Sequence, residues 1–175
     1  MKPIISSNSR VRHPEHFTVG EYSIIDDYCY FSTKVKVGRV CHIASGCSVA
    51  GGKEMSFVLG DYSSLSSGVK IWCASNDFVN DLVVLKPDGV DINDKPISGD
   101  VIIGSMCGVG ANTVIMPDNK IPAGVAIGAL SYVPPRFDFE PWSVYAGNPL
   151  KLIRRRNKDN VLKQAGERER QLRLR

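Results

Sequence analysis

The sequence predicts an all-β solenoid, a parallel β-helix of hexapeptide repeats with an extruded loop and a C-terminal α-helix. Three observations carry that prediction. Aliphatic or aromatic residues recur every six positions, glycine often follows them, and the fifth place of the hexad is small or β-branched. The recurrence runs from Val19 through Ile25, Phe31, Val37, Ile43 and Val49, resumes at Leu59, Leu65 and Ile71, and resumes again at Ile103, Val109, Ile115, Ile121, Ile127 and Val133. Gly20, Gly38, Gly60, Gly104, Gly110 and Gly128 each follow a periodic residue, and Ser23, Cys29, Cys41, Cys47, Ser63, Cys107, Thr113 and Ser131 are among the fifth places. A period of six matches neither an amphipathic helix nor a hairpin meander. It fits short flat strands joined at corners, with the aliphatic residue filling a prism and the fifth residue kept small by crowding inside. Glycine then lets the backbone turn the corner without a Cβ clash. Three hexads make one triangular coil, so equivalent faces stack at about 4.8 Å.

In chain order, residues 1–16 are expected to cap the first coil, whose edge would otherwise be open. The interruption from Ala50 to Phe57 reads as a short loop. The interruption from Asp77 to Val101 reads as a long, acidic one, carrying Asp77, Asp81, Asp88, Asp91, Asp94 and Asp100. An insertion of that length in a compact domain points to function, although acidity alone is equally a sign of solvation. The period ends at Pro134-Pro135. Asn148-Pro149 then reads as an N-cap and first helical residue, with Leu150, Ile153, Val161, Leu162 and Ala165 on the apolar face and Gly166 a candidate break. The organisation is therefore a β-helix over 1–147, with a loop at about 77–101, and a basic C-terminal helix over 148–175.

Composition narrows the classes. The chain has 175 residues and is 43% hydrophobic and 23% charged, ordinary globular usage. No apolar run approaches the ~20 residues of a membrane span. No secretory signal is visible, so the expected location is cytoplasmic. Five cysteines without CxxC or zinc spacing favour neither a disulfide framework nor a metal site, and the hexad assigns them to the core. Residues 151–175 hold ten Lys/Arg against Asp159, Glu167 and Glu169, a net +7 on a body of −3. That asymmetry suggests an anionic partner near the C-terminus, with a solvated helix face favoured over nucleic-acid binding.

The hexad array and the end of the chain resemble the hexapeptide-repeat acyltransferases, left-handed β-helix enzymes that move an acyl group from coenzyme A. The matching residues are Ile103-Gly104-Ser105, Val109-Gly110-Ala111-Asn112, Ile127-Gly128-Ala129 with Ser131 and Val133, and Ala146-Gly147-Asn148-Pro149 followed by Lys151, Ile153 and Arg154. The resemblance implies left-handedness, a homotrimer, and active sites in clefts between prisms. It also implies coenzyme A as co-substrate, its pantetheine arm lying along Gly110, Ala111, Gly128, Ala129 and Ser131. Lys151 and Arg154 match positions that meet the nucleotide phosphates, with Arg136, Arg155 and Arg156 nearby. The requirement of corners for Gly and Ala explains the small residues almost as well.

One departure from that family bears on the chemistry. Many relatives place a His in the segment that opens the large loop, as general base for a hydroxyl. Here the segment is Ile71-Trp72-Cys73-Ala74-Ser75-Asn76, and Asp77 follows. His13, His16 and His42 lie elsewhere and read as surface residues; they also do not suit the three-His metal site of γ-class carbonic anhydrases. Asn cannot take a proton. An alcohol needs a base, whereas an amine with a pKa of roughly 8 is partly neutral at cellular pH. The expected reaction is therefore N-acylation of a nucleotide-linked amino-dideoxy sugar in polysaccharide biosynthesis, without a histidine base and with acetyl as the expected acyl group. Asn76 or Asp77 would orient the amine, and a backbone N–H of Gly110 or Ala111 would meet the oxyanion. The alternatives are an O-acetyltransferase of a sugar or xenobiotic hydroxyl with Asp77 as base, and a non-catalytic hexapeptide scaffold. No metal is required. Tyr28, Tyr30 and Trp72 are candidates to stack on a base or to cap the core.

Overall fold

The computed structural model describes residues 1–80 and 96–174. The chain winds into a left-handed parallel β-helix of about six turns with three faces. The first face stacks Ile4–Ile5, Ile24–Ile25, His42–Ile43, Ser64–Leu65, Gly108–Val109, Ala126–Ile127 and Ser143–Ala146, each parallel to the next. The second stacks Arg10–Val11, 30–31, 48–49, Lys70–Trp72, Val114–Ile115 and Tyr132–Val133. The third stacks Phe17–Val19, 35–37, 57–59, Val101–Ile103 and Asn119–Ile121. In register, Ile43 lies on Leu65, Leu65 on Val109 and Val109 on Ile127, so the periodic residues form the buried interior.

The fifth place is small for a reason beyond crowding. Ser23 Oγ donates to Gly38 O at 2.8 Å and accepts from Cys41 N at 2.9 Å. Ser63 does the same with Gly104 O and Cys107 N, at 2.9 and 3.0 Å. Each inward hydroxyl thus satisfies backbone groups that a corner leaves without ladder partners. The five cysteines are buried free thiols, and burial pushes Cys107 up to about 11 and Cys73 up to about 12. They are core spacers, and burial makes Cys73 and Cys107 poor nucleophiles.

The glycines after the aliphatic residues serve a different purpose from the one expected. They do not turn the corner. A Cβ on Gly110 would stand 2.3 Å from Ala129 N, and one on Gly60 2.5 Å from Ser105 N, so they permit the close approach of successive coils. The left-handed backbone falls two residues after those glycines, at Tyr22, Val40, Tyr62, Met106, Asn112 and Leu130, and at the equivalent place in other hexads at Tyr28, Asp118 and Arg136, few of which are residues that favour it.

Several expectations about the ends and interruptions are corrected. Residues 1–16 are an additional coil, since Ile4–Ile5 and Arg10–Val11 join the ladders. Residues 50–57 are not a loop: Ser48–Leu59 is one strand that follows Tyr30–Val37 around the corner with register shifts. Asn148 does not cap a helix. After a cis Asn148-Pro149 bond the chain reverses, and Lys151–Arg155 pairs antiparallel with Ser143–Ala146, covering the open edge of the first face. The helix, α1, runs from Lys158 to Arg173, capped by Asn157 accepting from Asn160 N at 3.0 Å, and passes through Gly166 without a break. Leu150, expected on its face, is buried at the end of the prism, beside the edge-to-face cluster of Phe137, Phe139 and Tyr145.

The long loop leaves from Ala74–Ser75, which pairs antiparallel with Ile97–Ser98; its interior, with Asp81, Asp88, Asp91 and Asp94, lies outside the described residues. Helix α1 lies along the corner between the third and first faces, where Arg39 Nη1 meets Glu169 Oε2 at 2.6 Å and Tyr62 donates to the same carboxylate. Among the described residues, no helix is long and apolar enough to cross a membrane.

Candidate active site

Because strand side chains alternate, the residues flanking each buried aliphatic on the first face point outward. They make two adjacent columns. One reads Ile24, His42, Ser64, Gly108, Ala126 and Val144, and the other Asp26, Ala44, Ser66, Gly110, Gly128 and Ala146. From Ser64 to Ala126 both columns hold only Ser, Gly and Ala. The result is a smooth lane crossing coils spaced at about 4.8 Å. At its C-terminal end it meets the exposed strand Lys151–Arg155; at its N-terminal end it meets His42 and Asp26.

The lane gathers most of the residues expected to bind a cofactor. Gly110 lies in it, Ala111 and the exposed Ala129 stand at the adjoining corner, and Lys151 and Arg154 are exposed at its basic end. Gly110 N donates to Ile127 O at 2.8 Å. Of the two oxyanion candidates, Ala111 is the one whose N–H takes no part in the coil-to-coil bonds among the described residues. Two neighbouring arginines are engaged elsewhere: Arg155 pairs with Glu140 and donates to Ser143 Oγ, and Arg156 donates to Met106 O and Gly124 O.

Ser131 is expected to contribute through its backbone, and its hydroxyl is turned inward. Its side chain is buried, donates to Gly128 O at 2.7 Å and accepts from Gly147 N at 3.0 Å, so it belongs to the interior and its hydroxyl cannot meet a cofactor.

Asn76, Asp77 and Arg136 stand at another corner, between the second and third faces. Asn76 is exposed where the loop leaves its short ladder. Asp77 accepts from Val79 N at 2.9 Å and from Asn80 Nδ2 at 2.6 Å, and these bonds, the Asn80 side chain first, hold its carboxyl below the usual range. A carboxylate so engaged is a weak proton acceptor. Arg136 pairs with Asp118 Oδ2 at 3.2 Å. A whole face, roughly 15–20 Å at about 3.3 Å per residue, separates this group from the lane of the same chain.

Sequence reasoning missed Ser64, Gly108 and Ala126, and treated His42 as incidental. The signal was available: with the two interruptions removed, the residue before each first-face aliphatic can be compared from coil to coil, and these positions align. Among the described residues, no group of three or more His, Cys, Asp or Glu could hold a metal.

No family model matches the chain. It is similar to the dTDP-4-amino-4,6-dideoxy-D-glucose acyltransferase of Escherichia coli, 31% identical over 147 residues that cover 82% of this chain and 74% of the relative. Among solved structures it is similar to AntD, an N-acyltransferase from Bacillus cereus in complex with dTDP and 3-hydroxybutyryl-CoA. The TM-score is 0.86, with 27% identity over 98% of this chain and 89% of that one. A serine-to-alanine variant of AntD in complex with dTDP-4-amino-4,6-dideoxyglucose and coenzyme A gives a TM-score of 0.83 and 26% identity, over 95% and 90% of the two chains.

Proposed function

This chain belongs to the hexapeptide-repeat acyltransferase family, and we propose that it moves an acyl group from coenzyme A to the amino group of a nucleotide-linked amino-dideoxy sugar. The observation that carries the reading is the lane, small from Ser64 to Ala126 and basic at its C-terminal end. It suits an uncharged pantetheine arm along the coils, with Lys151 and Arg154 at the anionic end of coenzyme A. Ala111 N–H is the donor for the oxyanion that forms on the thioester's carbonyl oxygen when the amine adds to its carbon.

The amine supports the rest of the chemistry. Its lone pair adds to the thioester carbon to form the C–N bond, the oxyanion then collapses with cleavage of the C–S bond, and the proton the amine loses ends on the departing sulfur. A hydroxyl would need a base, and the loop-opening segment offers Asn76 and an Asp77 already engaged by its own turn. The separation of Asn76 and Asp77 from the lane by a whole face favours a site completed by a second copy, with the loop base of one protomer beside the lane of its neighbour. A homotrimer in the cytoplasm, serving polysaccharide biosynthesis, is the assembly and setting we infer.

The test pairs acetyl-CoA with dTDP-4-amino-4,6-dideoxyglucose or with the same sugar bearing a hydroxyl, following free thiol release. Turnover of the amine alone is expected; turnover of only the hydroxyl compound overturns the reading. Replacing Lys151 and Arg154 by Ala should raise the KM for acetyl-CoA about tenfold while changing the acceptor KM little. An unchanged acetyl-CoA constant would refute the phosphate role.

A further inference from the structure

Lys151 and Arg154 stand three residues apart, and in a regular strand that spacing turns two side chains to opposite sides. Here it does not. Four residues, Ser143–Ala146, face five, Lys151–Arg155. Ala146 pairs with Lys151 and Tyr145 with Leu152, but Val144 pairs with Arg154 and Ser143 with Arg155, so Ile153 is a β-bulge residue without a partner. Directly opposed residues share a side of the sheet. Val144 and Ala146 belong to the two outward columns, so Arg154 and Lys151 both lie on the lane side. Ser143 and Tyr145 are buried, so Arg155 and Leu152 lie on the other. A regular ladder continued from Lys151 would set Ile153 opposite Val144 and Arg154 opposite Ser143, exchanging those two side chains between the sides.

Both ends of the strand are held. Before it, Leu150 is buried in the end of the prism, Gly147 N donates to Ser131 Oγ at 3.0 Å, and Gly147 O accepts from Tyr132 N at 3.1 Å. After it, Arg155 Nη1 donates to Ser143 Oγ at 2.8 Å, and its guanidinium also meets Glu140. Arg156 reaches further. Its backbone N–H donates to Trp142 O at 2.8 Å, and its Nη1 donates to Met106 O and, at 3.0 Å, to Gly124 O. Those two carbonyls belong to successive coils and accept no backbone N–H among the described residues, so one cation serves both. Trp142 is itself fixed to the coil. Its ring lies on Gly124, where a Cβ would stand 2.3 Å from it, and its backbone N–H donates to Ala123 O at 3.2 Å.

We propose that Arg155 and Arg156 are positioning residues for the acyl donor, an inference that rests on the acyl-transfer reading of the lane. They hold the register that keeps Ile153 bulged, and the bulge turns Lys151 and Arg154 together toward the anionic end of coenzyme A. Neither positioning arginine meets the cofactor itself. Released from them, the strand can slip by one residue, which withdraws the Arg154 guanidinium and puts an isoleucine in its place. The slipped register is the regular one, and it also separates two cations, so the anchors act against a genuine competitor. Three consecutive arginines thereby divide the work: Arg154 binds, while Arg155 and Arg156 keep it aimed.

Initial rates with acetyl-CoA and with S-acetylpantetheine, which lacks the nucleotide phosphates, test this on the full-length protein. Arg156→Met should raise the KM for acetyl-CoA about fivefold while leaving kcat/KM for S-acetylpantetheine and the acceptor KM close to the parent's. Arg156→Lys, which can still donate to one corner carbonyl, should recover part of that loss. Deleting Ile153 makes the ladder regular with Lys151 and Arg154 still on the lane side. That variant should keep the acetyl-CoA KM within about twofold of the parent's and should no longer respond to Arg156→Met. A parent-like acetyl-CoA KM in Arg156→Met overturns the assignment, and so does an equal loss with both thioesters, which would mark Arg156 as merely structural. If Arg156→Met costs the deletion variant as much as it costs the parent, the bulge is not the route; should the deletion fail to fold, the comparison of the two thioesters decides alone. If Ala at Lys151 and Arg154 leaves the acetyl-CoA KM unchanged, the phosphate reading itself falls.

Discussion

Two neighbouring small residues separate fold from function at the residue scale. A Cβ added to Gly110 meets the backbone of the next coil at 2.3 Å, whereas one added to Gly108 has nothing within 4 Å. Gly110→Ala should therefore cost stability, about 1–3 kcal/mol, read as a lowered thermal midpoint. Gly108→Leu should leave the midpoint close to the parent's and raise the KM for acetyl-CoA, because the added side chain obstructs only the lane. Equal KM values for Gly108→Leu and parent would remove the lane from the site. Ser131→Ala gives the opposite pattern. It takes partners from Gly128 O and Gly147 N, so about 1–3 kcal/mol of stability should be lost with no selective change in acetyl-CoA KM. The hexad marked Ser131 as an inward residue, and its side chain is buried; its place in the cofactor set rests on the family resemblance and concerns its backbone.

Elements were legible to the extent that their residues repeat. The six-residue period identified the three faces because burial of one aliphatic per strand is imposed by the prism interior. The end of the chain has no such period. Lys151-Leu152-Ile153-Arg154 carries apolar residues compatible with a helix, and what makes it a strand is the unpaired edge of Ser143–Ala146, a tertiary feature absent from local sequence. Likewise the residues at 50–57 gave no sign that their backbone follows that of Tyr30–Val37. Among the described residues, the hydrogen bonds that join α1 to the prism meet at one carboxylate. Glu169 accepts from Tyr62 and Arg39, and these bonds, Tyr62's first, hold its pKa below the ordinary glutamate value. A depressed folded pKa contributes stability that is present above the unfolded value, about 4.3, and is lost as pH falls through the folded one. Acid thermal scans should show the parent losing stability below about pH 4.3, with Glu169→Gln less stable at neutral pH and flatter in acid. Parallel pH curves for the two would show that this carboxylate does not hold the helix.

For the whole molecule, the division of residues among corners is the informative feature. Gly110, Ala111, Ala129, Lys151 and Arg154 share one surface, while Asn76 and Asp77 stand a full face away. Sequence spacing could assign these residues to a common chemistry but could not show that one chain keeps them apart, since that depends on which corner each hexad occupies. A rigid prism cannot fold back on itself to unite them, so the proposed site requires a neighbouring copy. The direct measurement is subunit complementation. Gly108→Leu obstructs the lane, Asn76→Trp obstructs the loop base, and each variant alone should be nearly inactive. Unfolded together and refolded as mixed assemblies, they should regain about a quarter of the parent's acylation rate, because a random pairing joins an intact lane to an intact loop base in that share of sites. Mixed assemblies, verified by mass, that remain as inactive as either variant would contradict a site shared between copies.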